Sequence, residues 1–170
     1  MSPPIAPDQG KQSDYLAELY VAGVLADAGG NIYFPHRDRG FDFIISKTVA
    51  GRVLIRPVQV KGKYPSGAKT DKATYGYIGR LTEVHPEMVL AIPFFPSKSL
   101  PNIPLSVAYM PFSLVKKGKR GYRCQPATFR AGEPKQRRDF ASFFDSEGIR
   151  MLESEGWKNS TVKYLRNLRR

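Results

Sequence analysis

The sequence predicts an α/β domain built on one central sheet, and three observations carry that prediction. A helical pattern near the N-terminus leads directly into three short β segments separated by turn signals. Further apolar strand candidates follow, and then a helical stretch. The chain has 170 residues, 41% hydrophobic and 12% aromatic, enough to bury a core of one domain and too apolar for a disordered polycation.

The elements follow in order. Residues 1–10 hold three prolines and read as an arm. From Lys11 the spacing turns helical, with Ser13 as a cap and Asp14 in the first turn. Leu16, Leu19, Tyr20 and Val24 form the apolar stripe, and Gly29-Gly30 end a helix over about Gln12–Ala28. Asn31–Phe34 is a first strand and Phe41–Ser46 a second. Ala50-Gly51 turns the chain into a third, Arg52–Lys63, which Pro57 should bulge, kink or leave at an edge. Lys63–Ala73 has loop composition. Thr74–Leu81, Met88–Phe95 and Leu105–Val115 are strand candidates, and Pro96–Pro104 is a connection. Basic loops follow. Arg138–Glu155 looks helical, with Gly148 a possible break, and 161–170 suits a short terminal helix. The expected organisation is an arm at 1–10, a single domain over 11–156 with basic insertions, and a basic tail or short helix at 157–170.

Charge and composition bound the function. The 27 Lys+Arg and 15 Asp+Glu leave a formal +12. Residues 1–60 hold six bases and six acids, so the whole excess lies in 61–170. Lys116–Arg138 alone holds nine bases against Glu133. Such a block points to a polyanion, most commonly nucleic acid. The single Cys124 excludes an internal disulfide framework, and two histidines make a His-based metal cluster a poor reading. No apolar run is long enough to span a membrane, and the first residues lack the pattern of a signal peptide. The expected location is the cytoplasm, beside the nucleoid.

The residues that carry chemistry are Glu18 in the helix, Asp42 in Gly40-Phe41-Asp42-Phe43-Ile44-Ile45, and Gln59 and Lys61 in Pro57-Val58-Gln59-Val60-Lys61-Gly62. Residues two apart on a strand share a face, so Gln59 and Lys61 project together. A hairpin around Ala50-Gly51 pairs residues whose numbers sum to about 101–103, which brings Asp42 across from them. A helix packed on this meander carries Glu18 toward the same place.

In these residues the chain resembles the PD-(D/E)XK nuclease superfamily, which includes restriction endonucleases, archaeal Holliday junction resolvases and some group I intron homing endonucleases. The resemblance covers roughly residues 11–63. It implies a restriction-endonuclease-like αβββαβ core, a central mixed sheet flanked by helices. It also implies a Mg²⁺-dependent DNA endonuclease, with Mn²⁺ as substitute ion, acting on double-stranded or branched DNA as a homodimer or homotetramer. Asp42, the Val60 carbonyl, Glu18 and Gln59 would hold the metal, and Lys61 would hold or activate the attacking water. One departure matters: Gln59 stands where most members carry an acid, so the site has two carboxylates rather than three. A catalytically silent nucleic-acid-binding module on the same fold is the alternative.

Each residue also has an ordinary reading. Glu18 alone suits a solvated helix face, Asp42 an edge strand, and Gln59 with Lys61 the polar side of an alternating strand. His36 and Asp38 read as loop residues, and Arg37 and Arg39 as possible phosphate contacts. Cys124 reads as a small packed residue rather than a nucleophile. Trp157, Phe140, Phe143 and Phe144 read as core or interface. Candidate nucleic-acid contacts are Lys63, Lys69, Lys72 and Arg80, then Lys116, Lys117, Lys119, Arg120 and Arg123.

Overall fold

The computed structural model describes residues 9–37, 40–65, 76–96 and 103–160. Helix α1 (Gln9–Asp27) leads into β1 (Asn31–Tyr33), β2 (Phe43–Val49) and β3 (Arg52–Val60). Short β4 (Tyr77–Gly79) precedes β5 (Val89–Phe94) and β6 (Ser106–Pro111). Two hairpins follow, β7 (Lys116–Gly118) with β8 (Gly121–Arg123), and β9 (Ala127–Arg130) with β10 (Glu133–Gln136). A 3₁₀ segment at Arg138–Phe143 leads into α2 (Asp145–Leu152), and a 3₁₀ turn at Trp157–Asn159 closes the described chain.

The central sheet is mixed, in the order β1-β2-β3-β5-β6. The first three strands form the expected antiparallel meander, β5 joins β3 in parallel, and β6 is antiparallel to β5. Ala50 (φ 48°) and Gly51 (φ 77°) turn β2 into β3. Two successive positive φ values make the mirror-image turn whose twist suits a two-residue hairpin. The register runs without slip from Phe43↔Val58 to Val49↔Arg52. Pro57 therefore causes no bulge. It pairs with Ile44 on one side, and β5 joins β3 only from Val58 onward, so its missing N–H falls where β3 has no second neighbour.

Both helices lie on one face. The Lys47 ammonium bonds the Ala28 carbonyl at 2.6 Å, at the end of α1, and Glu153 at 2.5 Å, just past α2. The buried stripe of α1 is Ala17, Val21, Ala22 and Leu25, whereas Leu19 is exposed and Leu16, Tyr20 and Val24 are half-buried. The apolar spacing gave the helix but missed its rotation, because two alanines let the backbone approach the sheet more closely than the larger side chains would. The helix also starts earlier than expected, so Ser13 is interior to it rather than its cap. Gly148 does not break α2. A Cβ there would meet the Phe143 carbonyl oxygen at 2.2 Å and the Tyr109 ring at 2.8 Å, so the glycine is what lets α2 lie against β6.

The mixed central sheet with helices packed on it is as expected, and the opposite face carries no helix among the described residues. Over β5 and β6 it is covered by small sheets: Phe94 packs its ring 5.8 Å from Phe129 of β9 and 6.1 Å from Phe144. The segment expected as basic loops is thus two hairpins, and β8 also pairs with β4. Between β3 and β5 the described residues form β4 and no helix; 66–75 lie outside them. Trp157 is fully buried, its ring 6.3 Å from Phe143 and its indole N–H donating to the Met88 carbonyl at 3.1 Å. The packed chain therefore runs past the boundary expected at 157. The anticipated arm over residues 1–8 and the terminal helix over 161–170 fall outside the described residues.

Candidate active site at the head of the central sheet

Asp42 stands immediately before β2, and its backbone N–H donates to the Val58 carbonyl at 2.9 Å. It thus stays bonded to β3 although it precedes β2. Its carboxylate then turns toward β3: Oδ2 accepts the Val60 N–H at 2.5 Å and Gln59 Nε2 at 2.8 Å. The expected juxtaposition of Asp42 with Gln59 is present, with a pairing sum of 101 set by Phe43↔Val58.

The parallel neighbour fixes the other side. Val60 pairs with Ala91, and the Lys61 N–H donates to the Ala91 carbonyl at 2.9 Å. In a parallel ladder the residues flanking a paired position make those bonds, so Val60's own N–H and C=O point the other way, toward β2. The Val60 carbonyl accordingly leaves β3 on the side of Asp42. Gln59 is buried and Lys61 half-buried.

Glu18 is half-buried on the same stripe of α1 as Ala22 and Leu25. The helix packs on β1, β3 and β5 and finishes beside Ile45, against which Gly30 lies.

Lys63, expected as a nucleic-acid contact, has a different placement. Its backbone pairs with Phe94, and its half-buried ammonium donates to the Tyr77 carbonyl. Burial pulls its pKa down to about 8, and the nearby charge of Lys61 adds to the shift. This lysine ties β4 to the end of β3 beside the candidate site. Sequence alone hid that role, since a lysine heading a basic loop looks like a solvated cation. Cys124 is buried with its thiol raised to about 12 by desolvation, in keeping with packing rather than nucleophilic chemistry.

The other expected contacts divide. Arg80, Lys116, Lys117, Lys119, Arg120 and Arg123 are exposed, the last five all on the β7–β8 hairpin. Lys69 and Lys72 lie outside the described residues, as do Asp38 and Arg39, while His36 and Arg37 are exposed.

The donor set can be tested against a divalent ion. Among the described residues no cluster of three or more His, Cys, Asp or Glu could hold a metal. What gathers at the head of the sheet is an acid, a side-chain amide and a peptide carbonyl, with Glu18 on the adjoining helix. These are hard oxygen donors with little charge, a set that fits a Mg²⁺ ion retaining several waters. No family model, curated protein or solved structure matches the chain.

Proposed function

We propose that this protein is a metal-dependent endonuclease with a restriction-endonuclease-like core, hydrolysing phosphodiester bonds in double-stranded or branched DNA. The observation that carries the reading is the Asp42 carboxylate held against Gln59 and the Val60 peptide at the head of a mixed sheet. Asp42 and the Val60 carbonyl would hold Mg²⁺, with Glu18 and Gln59 completing the oxygen set and Mn²⁺ substituting. The ion would neutralise phosphate charge and make hydroxide accessible near neutral pH. Gln59 orients the Asp42 carboxylate through its amide. Lys61, next in the strand, holds the attacking water or offsets charge developing on the phosphate. The exposed cations of β7–β8 grip the backbone of the nucleic acid and offset the repulsion that a carboxylate site exerts on it. A homodimer would present two such sites for cutting both strands.

One observation favours a second reading, a binding module without catalysis: Gln59 brings no charge to the site, and its amide already satisfies part of Asp42. Cleavage of supercoiled plasmid and of branched DNA with Mg²⁺ or Mn²⁺, followed by selection of cut sites from a random library, separates the two. Divalent-dependent nicking abolished in Asp42→Asn and Lys61→Met supports the nuclease. Undiminished cleavage in either variant refutes the mechanism.

A further inference from the structure

The β7–β8 hairpin carries an electrostatic anomaly. Lys116 and Arg123 are direct cross-strand partners, an arrangement of like charges that weakens a sheet unless an anion lies between them. β4, β7 and β8 contain no Asp or Glu. Both cations line a cleft of about 360 Å³, together with Gly76, Cys124, Asp139 as its acid, Arg137 and Phe140. The Arg137 guanidinium lies 5.1 Å from the Phe140 ring centre and is steadied by a 3.0 Å bond to the Gln125 carbonyl. A guanidinium stacked on an aromatic ring makes a flat platform of the kind on which nucleobases stack. The neutral Cys124 thiol leaves the cations to set the sign of the cleft.

We propose that this cleft receives one unpaired nucleotide of a bound nucleic-acid strand, its phosphate against Lys116 and Arg123 and its base against the Arg137–Phe140 platform. The proposal rests on the nucleic-acid reading above and sharpens its substrate class to DNA with a single-stranded feature. A base inside an intact duplex cannot reach such a platform, whereas a flap, junction or frayed end presents one.

The test is fluorescence anisotropy with a labelled 12-nucleotide single strand and a blunt duplex of equal length, in EDTA over a range of salt, using the full chain. In Lys116→Gln/Arg123→Gln the slope of log affinity against log salt should shrink by about 0.7 for the single strand, the value for one phosphate contact. Phe140→Leu should weaken single-strand binding about tenfold, leave its salt slope unchanged and spare the duplex. Lys117→Gln/Lys119→Gln is the control of equal charge, and should change the slope less. An equal effect from the control pair, or unchanged single-strand binding by Phe140→Leu with a wild-type melting curve, overturns the cleft. Binding in EDTA needs no cleavage, so a failed nuclease assay and a failed cleft assay are distinguishable outcomes.

Discussion

Replacing Gln59 by Glu would set a second carboxylate beside Asp42, and the structure gives its consequence. Gln59 is 7% exposed and its amide donates to Asp42 Oδ2 at 2.8 Å. Glu puts a second carboxylate in that position and removes the donor. Two unit charges about 4 Å apart at an effective dielectric of about 20 repel by roughly 4 kcal/mol. For a chain of this length that lowers Tm by about 8–16 °C. Two agents should relieve it. At about pH 5 the pair can share one proton, as closely spaced carboxylates do. At neutral pH, Mg²⁺ should raise the variant's Tm more than that of the wild type, because an ion binding only the folded state stabilises by mass action. Thermal melts by circular dichroism at pH 5 and 7.5, with EDTA or 10 mM Mg²⁺, read all of this. A variant as stable as the wild type at pH 7.5, and unmoved by pH or Mg²⁺, would refute the argument that Gln59 and Asp42 share one ion site.

Other outcomes follow from the same contacts. Asp42→Ala removes the acceptor of both the Val60 N–H and the Gln59 amide and should cost about 3 kcal/mol in urea unfolding; Asp42→Asn keeps an acceptor and should cost about 1 kcal/mol. The Arg56 guanidinium, 4% exposed, pairs with Glu87 and donates to the Leu152 and Ser154 carbonyls at 2.6 and 2.9 Å, so Arg56→Met should destabilise by about 3–5 kcal/mol. Gly148→Ala forces a methyl onto the Phe143 carbonyl and should cost about 3 kcal/mol by the same measurement. Lys63 has a folded pKa of about 8 against an ordinary 10.5, so between those values the unfolded chain binds its proton more than the folded chain does. Its contribution to stability therefore rises with pH across that window, and the difference in stability between wild type and Lys63→Met, followed from pH 7.5 to 10, should show that rise.

Several features were legible in the residues because they depend on neighbours close in sequence. The β2–β3 register is one: Ala50-Gly51 dictates the turn, and the turn dictates that Asp42 meets Gln59. The burial of Trp157 and the Phe143-Phe144 pair is another, since side chains of that size rarely find room elsewhere. The rotation of α1 was not legible, because Ala17 and Ala22 give a weak apolar signal yet allow the closest approach to the sheet. Nor were the hairpins of 116–136, whose many charges mask short strands that pair with one another and with β4.

The sequence by itself determined the meander, the acid–amide pairing at its head and the confinement of excess positive charge to the later two thirds. Local spacing and turn chemistry suffice for these. Only the tertiary structure decided that both helices occupy one face, that Lys63 ties β4 to β3 rather than standing free, and that Lys116 and Arg123 line one cleft with Arg137 and Phe140. Those arrangements join residues far apart in the chain, and their energy comes from packing and desolvation that no local pattern records.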